Sequence, residues 1–361
     1  MDDRLVVLGM SGGVDSSVAA FLLKQAGYRV HGVMLRTWRS DQKDQLSEKE
    51  QELFDSTRRV ADAIGVSLKM ADTREMFFEK VIGYFRQAYT SGLTPNPCTV
   101  CNREIKFASL LRRADELGAA WIATGHYVRL VRDAEGVRIT QPSDIKKDQT
   151  YFLSHLTQPI LARTLFPLAD LTKDQVRQIA RENHIEAVNR PESQDLCFLE
   201  GTDYREIMVS LEPESFQPGD IVDSAGTVLG QHNGLANYTI GQRKGLGIFR
   251  EKPLFVLKKD PQRNLLVVGY EDELGTKRFW VEQLNWIIGH APDGTFSAQV
   301  KIRYQARPRQ AMVTVMDEGR ILVETEEFLR DVTPGQFAVL YDGDTLVGGG
   351  IISSETLADA R

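Results

Sequence analysis

A glycine-rich turn near the N-terminus has the residue types of an anion-binding loop. Gly-Met-Ser-Gly-Gly-Val-Asp-Ser-Ser occupies residues 9–17 and follows an apolar run at residues 5–8. Gly12 and Gly13 let the backbone bend tightly and approach a ligand closely. The residues that follow predict a helix, whose N-terminal N–H groups and dipole would stabilise an anion. Because the lysine of a Walker A loop is absent, the pattern predicts a phosphate site of another kind.

The chain has three cysteines, and two of them form a Cys-x-x-Cys pair. They are Cys98, Cys101 and Cys197. The prolines before the pair disfavour helix until Asn102, which is the predicted N-cap. Cys101 would then lie at a helix N-terminus, where the dipole favours the thiolate over the thiol. The pair therefore predicts redox, sulfur or metal chemistry.

Composition restricts the class of protein. The chain has 361 residues, 42% hydrophobic and 26% charged, with a net charge of −6. That length predicts two or three domains, and the composition is that of a soluble globular protein. No stretch is long and apolar enough to span a membrane, and the N-terminus lacks a signal peptide, so we expect a cytoplasmic protein. Binding to nucleic acid would depend on local basic patches rather than on a global field.

Strand and helix patterns alternate over the first third of the chain. Residues 5–8, 30–35, 66–70 and 121–124 read as strands, and residues 47–64, 74–89 and 104–117 as helices. This alternation predicts an α/β fold with a doubly wound parallel sheet. Ligands of such sheets bind beyond the carboxyl ends of the strands. The glycine-rich loop, Met34 and Gly125 all lie at such ends.

The pattern changes after residue 125. We predict a hairpin of residues 127–130 and 137–140, and a helix over 172–183 with Thr172 and Gln175 as its capping box. Short β-rich runs dominate from about residue 216, and residues 298–354 predict a small antiparallel barrel of five or six strands. The predicted domains are an α/β catalytic domain at 1–205, a central β-rich domain at 206–280 and a C-terminal β-barrel at 281–361.

Several motifs, in order, carry a resemblance that covers essentially the whole chain. They are the loop at 9–17, Asn-Pro-x-x-x-Cys-Asn ending at Asn102, Ala-Thr-Gly-His-Tyr at 123–127, Lys-Asp-Gln-Thr-Tyr-Phe-Leu at 147–153, the Cys197 segment, Tyr-Thr-Ile-Gly-Gln-Arg-Lys-Gly-Leu-Gly at 238–247, Arg303-Tyr304 and Pro-Gly-Gln at 334–336. Together they are similar to bacterial tRNA-specific 2-thiouridylases of the pyrophosphate-loop (PP-loop) ATPase superfamily. The resemblance implies ATP-dependent 2-thiolation of the wobble uridine of tRNA, with AMP and pyrophosphate as products. It also implies a central domain that contacts tRNA.

The resemblance also implies roles for individual residues. Cys197 would carry a persulfide supplied by a sulfur-relay protein, and Cys101 would be its partner thiol. ATP, with Mg²⁺, would bind at Gly9, Met10, Ser11, Gly12, Gly13, Val14, Asp15, Ser16, Met34 and Gly125. Asn96, Pro97 and Cys98 would flank the flipped uracil, and His126 would lie beside the same pocket. The anticodon arm would contact Lys147, Asp148, Gln149, Arg303, Tyr304 and Gln336. We expect a monomer.

Alternatives remain at this point. Many relatives carry Asp where this chain has Cys98. Cys98, Cys101 and Cys197 could instead hold three corners of a [4Fe–4S] cluster, since three thiolates suit iron–sulfur centres. A second possible enzyme class, further from the motifs, is a PP-loop ligase or amidotransferase. A non-enzymatic tRNA-binding module is a reading from another class, and the intact Ser-Gly-Gly-Val-Asp-Ser loop disfavours it.

Overall fold

The computed structural model describes residues 1–39, 45–189, 196–199, 201–316 and 319–355. Its N-terminal part is built on a parallel five-stranded sheet, as the alternating pattern predicts. The strands, in spatial order, are β3 (Ser67–Asp72), β2 (Arg29–Arg36), β1 (Asp2–Gly9), β4 (Ala119–Ala123) and β7 (Thr164–Leu165). The central position of β1 places the loop that follows it between the ends of β2 and β4.

Helices cover both faces of this sheet. Val7 of β1 packs into one apolar cluster with Phe107 and Ile122, and Val6 and Leu8 pack into another on the opposite face. Successive strand residues point to opposite faces, so this division is the doubly wound arrangement. The helices are α1 (Val14–Gln25), α2 (Glu48–Ile64), α3 (Arg74–Phe77), α4 (Gly83–Thr90), α5 (Pro97–Cys101), α6 (Ala108–Leu117), α7 (Gln158–Ala162), α8 (Lys173–Glu182) and α9 (Tyr204–Leu211).

The predicted capping box of α8 is present, and α2 begins with a second one. Ser47 accepts a hydrogen bond from the backbone N–H of Glu50, and the Glu50 carboxylate accepts one from the Ser47 N–H. Thr172 and Gln175 form the same capping box at the start of α8. Each box satisfies two N–H groups that have no partner within the helix. The local sequence is therefore sufficient to place these helix starts.

Two π-helical segments continue α-helices. Phe78–Ile82 joins α3 to α4, and Asn102–Phe107 joins α5 to α6. The predicted helix start at Asn102 is wrong, because the helix begins at Pro97. Proline suits the first helical position, where its fixed φ is already helical and its missing N–H would have no intrahelical partner.

The predicted hairpin forms and joins a second sheet. Its strands are β5 (Arg129–Asp133) and β6 (Gly136–Thr140), and Ile139 and Thr140 pair with Leu346 and Thr345 near the C-terminus. The hairpin of the N-terminal domain thus extends the sheet of the C-terminal barrel by two strands.

The central domain is a four-stranded sheet with its own apolar core. In spatial order its strands are β10 (Phe255–Asp260), β11 (Leu265–Gly269), β8 (Gly219–Val222) and β9 (Val228–His232). Ile221, Val256, Leu266 and Val268 are buried between this sheet and the loop that contains Leu246.

The C-terminal domain is a closed antiparallel barrel of six strands. In spatial order they are β12 (Thr276–Trp286), β15 (Ile321–Leu329), β14 (Arg309–Val315), β13 (Thr295–Lys301), β16 (Phe337–Asp342) and β17 (Thr345–Ile352), and β17 pairs back onto β12. The predicted domain boundary near residue 280 falls inside β12. We therefore propose Gly275, whose φ of 108° marks a turn, as the division. In the described part of the chain, no helix is long and apolar enough to cross a membrane.

Candidate active site

The glycine-rich loop wraps around the N-terminus of α1. Gly12 adopts a left-handed φ of 80°, which favours glycine. The Ser11 N–H donates to Ser16 Oγ at 3.3 Å, and Ser16 Oγ donates to the Gly13 carbonyl at 3.1 Å. Met10 and Val14 are buried, so only their backbone atoms can face a ligand. The loop has the form expected of an anion site at a helix N-terminus.

Asp15 of this loop is held by two residues from distant parts of the chain. Lys173 Nζ donates to both carboxylate oxygens of Asp15, each at 2.8 Å. The Tyr127 hydroxyl donates to Asp15 Oδ1 at 2.9 Å. Lys173 is buried at the first position of α8, where its backbone N–H is also bound by Asp144. Sequence reasoning did not identify Lys173, because only the packing of α8 against α1 brings it to the loop.

Gly125, predicted to contact adenosine, lies against the loop itself. A Cβ at this position would come within 2.8 Å of the Ser16 nitrogen and 2.9 Å of the Asp15 carbonyl carbon. Both neighbours are backbone atoms, so no side chain fits without moving the loop. Met34 is buried at the end of β2, on the other side of β1. The two residues flank the loop as the order of the strands predicts.

The cysteine-bearing helix and the loop converge on the turn that contains His126. The His126 ring stacks on Phe107 at a centroid distance of 6.1 Å and meets Phe166 edge-on at 6.3 Å. Its Nδ1 lies 2.8 Å from Thr124 Oγ1. Burial, with a smaller effect of the Lys106 charge, lowers the pKa of His126 to about 3. His126 is therefore neutral at physiological pH and suited to packing and hydrogen bonding rather than to carrying charge.

An aromatic cluster anchors the residue next to Cys197. Phe198 is buried edge-on against Phe77 and Phe85, with ring centroids 6.0 and 5.4 Å apart. Cys101 is buried in the same cluster. Cys197 is exposed, and none of the three cysteines forms a disulfide. Phe198 thus docks the Cys197 segment on the apolar cluster that includes Cys101.

The thiols are protonated in this arrangement. Burial raises the pKa of Cys98 to about 11 and that of Cys101 to about 12, while the Lys106 ammonium opposes both shifts. The expectation that the helix dipole makes Cys101 a thiolate is wrong here. Cys101 lies a full turn inside the helix, where the dipole weakens, and desolvation of the thiolate dominates. A charge on Cys197 would raise the pKa of both other thiols, so the three sulfurs share one electrostatic environment.

The cysteines do not fit a metal cluster as they are placed. Among the residues that the structure describes, which include all three cysteines, no group of three His, Cys, Asp or Glu side chains could hold a metal ion. A [4Fe–4S] cluster requires thiolates that converge on it. Cys101 is buried, Cys98 is half-buried and Cys197 is exposed, and no such converging set is found among them.

Gln336 connects the barrel to the segment before the cysteine pair. Its Nε2 donates to the carbonyls of Thr94 and Pro95 at 3.1 and 3.2 Å. The Thr94 N–H in turn donates to the Pro334 carbonyl at 2.9 Å. Gln336 thereby positions the backbone immediately before Asn96 and Pro97, the predicted uracil-flanking residues.

Two residues of the 147–149 motif are also engaged inside the protein. Asp148 is buried, and its Oδ1 accepts hydrogen bonds from the backbone N–H and hydroxyl of Thr150. Gln149 Oε1 accepts a hydrogen bond from the Tyr127 N–H at 2.9 Å. Gln149 therefore supports Tyr127, whose hydroxyl binds Asp15. Within residues 147–149, Lys147 is the residue with a cationic side chain. Direct contacts of Asp148 and Gln149 with RNA stay predictions.

Arg303 and Tyr304 lie together at the barrel surface. Arg303 donates to the Asp331 carboxylate. The Tyr304 ring packs on Phe152 at a centroid distance of 4.4 Å, and Lys301 Nζ lies 5.4 Å from the Tyr304 ring centroid. The aromatic ring is thus held beside the Lys301 ammonium, an arrangement suited to nucleic-acid bases and phosphates.

Comparisons with known proteins agree over the whole chain. Residues 4–201 match the family profile described as "tRNA methyl transferase HUP domain", residues 212–270 match "tRNA methyl transferase PRC-barrel domain", and residues 276–352 match "Aminomethyltransferase beta-barrel domain". The chain is 46% identical to the tRNA-specific 2-thiouridylase MnmA of Chloroflexus aggregans, covering 96% of this chain and 98% of that protein. It is 42% identical to the protein of the same name from Clostridioides difficile, covering 97% and 98%. With a matched catalytic domain, central domain and barrel in this order, the chain belongs to the tRNA-specific 2-thiouridylase family.

Proposed function

We propose that this protein uses ATP and a Cys197 persulfide to replace the C2 oxygen of the wobble uridine of tRNA by sulfur. One observation carries the proposal: the anion-binding loop and the cysteine-bearing helix meet at the same turn. Gly125 of that turn lies so close to the loop that a Cβ there would come within 2.8 Å of the Ser16 nitrogen. The next residue, His126, stacks on Phe107, which belongs to the helix that carries Cys101. An activated base at this turn would be within reach of both parts.

The first half of the reaction activates a poor electrophile. The uracil O2 attacks the α-phosphorus of ATP, a new O–P bond forms, and the bond to pyrophosphate breaks. The loop residues 11–16 would retain the pyrophosphate at the N-terminus of α1. Adenylation converts O2 into a leaving group, AMP, and makes C2 open to a nucleophile. The target base must leave its stack to reach this site.

The second half transfers sulfur between two cysteines and the base. The terminal sulfur of the Cys197 persulfide attacks C2 and forms the C–S bond. The Cys101 thiolate then attacks Cys197 Sγ, so the persulfide S–S bond breaks and its electron pair stays on the transferred sulfur. The C2–O bond breaks and AMP leaves. The products are 2-thiouridine, AMP, pyrophosphate and a Cys101–Cys197 disulfide, which a thiol reductant returns to two thiols.

The direct test incubates the protein with ATP, Mg²⁺, unmodified tRNA, a persulfide-bearing donor protein and a thiol reductant. We expect AMP and 2-thiouridine to form in equal amounts, and AMP formation to require tRNA. AMP release that does not depend on tRNA would instead support a ligase or amidotransferase.

Cys98→Ala separates the persulfide reaction from an iron–sulfur one. We expect thiolation within about threefold of wild type, because Cys98 takes no part in the two-cysteine exchange and alanine removes only a small side chain. The measurement is the rate of 2-thiouridine formation, together with iron and acid-labile sulfide in protein purified without oxygen. Loss of activity as large as that of Cys101→Ala, with roughly four irons per chain, would favour the cluster.

Arg303→Glu tests the predicted tRNA contact on the barrel. The variant places a carboxylate beside Asp331, so we expect weaker tRNA binding and a salt dependence reduced by roughly one phosphate contact. The measurement is the Kd for tRNA at several salt concentrations. Arg278→Glu is the matched control, because Arg278 forms a similarly exposed ion pair with Glu324. Arg278 lies on β12, which is three strands around the barrel from β13, the strand that Arg303 follows. Equal affinities of the two variants would remove Arg303 from the RNA-binding surface.

A further inference from the structure

We propose that residues 241–253 of the central domain, here called the central loop, form a second RNA-binding site for the same tRNA. In this site Phe249 stacks on a base or ribose, and four cations contact phosphates. The cations are Arg243, Lys244, Arg250 and Lys252. This inference rests on the proposed function, in that the substrate is tRNA, and it adds a contact distant in sequence from the residues predicted above.

The central loop is built to present one aromatic ring. Phe249 is 93% exposed, whereas Leu246 and Ile248, from the same loop, pack into the core of the central domain. Gly245 and Gly247 adopt left-handed φ angles of 82° and 70°. These two residues turn the backbone so that alternate side chains point inward. The exposed ring therefore lies on an anchored segment, where it can stack on a base.

Hydrogen bonds fix the start of the loop. The Gln242 side chain accepts from the Thr239 N–H at 3.1 Å and donates to the Lys244 carbonyl at 2.9 Å. The Gly241 N–H donates to the Val256 carbonyl, and the Val256 N–H donates to the Gln242 carbonyl. The start of the loop is thus tied to β10 immediately before the cationic residues begin.

The central loop carries a net positive charge. It carries four cations and one acid, Glu251, in a protein of net charge −6. Within the ranges described by the structure, none of the four cations forms an ion pair. The barrel cations Arg303 and Arg309, in contrast, pair with Asp331 and Glu327. Unpaired cations around an exposed ring are the combination that binds single-stranded or distorted nucleic acid.

The loop is continuous with the predicted tRNA-binding surface of the barrel. A Cβ at Gly241 would lie 3.3 Å from Asp331 Oδ1, and Asp331 accepts the hydrogen bond from Arg303. Arg303 precedes Tyr304, whose ring packs among Phe152 and Lys301. The start of the central loop therefore lies beside the Arg303–Asp331 pair, next to the barrel surface that carries Tyr304. This continuity favours the tRNA over an acidic protein as the occupant.

Two variants test the site. Phe249→Ala removes the ring, and the double substitution Arg250→Gln with Lys252→Gln removes two charges. We expect Phe249→Ala to weaken tRNA binding about tenfold, the effect of losing one stacked base. We expect the double variant to lower the slope of log affinity against log salt by about 1.5. The measurement is the Kd for full-length tRNA at several salt concentrations, with thermal unfolding to verify the fold.

Phe328→Ala is the matched control, since Phe328 is an exposed phenylalanine on β15 of the barrel. It should bind tRNA like the wild type. Wild-type affinity and salt slope in both central-loop variants would overturn the inference while leaving the proposed function intact. If the variants bind tRNA normally but lose sulfur transfer from the donor protein, the loop is a protein-binding site and the inference is wrong. If the wild type itself does not bind tRNA, the proposed function fails.

Discussion

Cys197→Ser is expected to abolish sulfur transfer to tRNA while the first half of the reaction continues. Serine cannot carry a persulfide, so 2-thiouridine formation should fall by about 10³-fold or more. The loop at residues 11–16 lies in a separate segment and keeps its contacts with α1. One equivalent of pyrophosphate per enzyme should therefore still be released in a single turnover with tRNA and ATP.

Cys101→Ser should share the loss of turnover but differ in its covalent products. In the wild type, a single turnover without reductant should leave a Cys101–Cys197 disulfide, detectable by peptide mapping under non-reducing conditions. Cys101→Ser should retain the transferable sulfur on Cys197, either as the free persulfide or bonded to C2 of the base, and form no Cys101–Cys197 disulfide. Cys98→Ser is the control, because it changes a neighbouring thiol on the same helix that the exchange does not use. A Cys98–Cys197 disulfide in wild-type protein would contradict the assignment of Cys101 as the partner thiol.

Detection of the Cys101–Cys197 disulfide tests the role of Cys101 more directly than its rate of alkylation does. Burial keeps the pKa of Cys101 at about 12, so alkylation of the free protein near neutral pH should be slow even if Cys101 is the working thiol. Its thiolate fraction grows as pH rises toward that value, and so should the rate of alkylation. Slow alkylation therefore does not argue against the role, whereas absence of the disulfide does.

Local signals predicted the elements that position the site. The strand, the glycine-rich turn and α1 follow one another within 25 residues, and the capping boxes at Ser47 and Thr172 span four residues each. Such features depend on neighbours in sequence, which is why the loop and the helix starts could be predicted. The start of the cysteine helix differs from the prediction because proline, which breaks a helix interior, is well suited to the first helical position that Pro97 occupies.

Features that depend on burial or distant packing could not be predicted in the same way. The sign of the pKa shift of Cys101 follows from its place in the aromatic cluster, and the sequence showed only its distance from a helix start. The role of Gln336 in holding the Thr94 carbonyl appears only when the barrel packs on the catalytic domain. Phe198 is the exception: a large apolar residue directly after Cys197 is a weak sequence signal for a buried anchor at that point.

Lys173→Met is the second substitution with a large expected effect. The pair between Lys173 and Asp15 joins residues 158 positions apart and fixes the loop against α8. Methionine has a similar length but no charge, so Asp15 would lose both contacts with Lys173 and keep the hydrogen bond from Tyr127. We expect kcat/KM for ATP to fall about 10²-fold, because displacement of a positioned group by about 1 Å costs that much. The measurement is tRNA-dependent AMP formation over a range of ATP concentrations.

Lys173→Arg and Lys24→Met complete the experiment. Arginine retains the charge and should recover part of the loss, although its planar group cannot place one nitrogen between both Asp15 oxygens as an ammonium does. Lys24 lies exposed in the last turn of α1 and should tolerate methionine. If the contact only stabilised the fold, Lys173→Met would lower the melting temperature but leave the KM for ATP unchanged. A changed KM in a protein of nearly normal stability is therefore the result that assigns Lys173 to positioning the anion-binding loop.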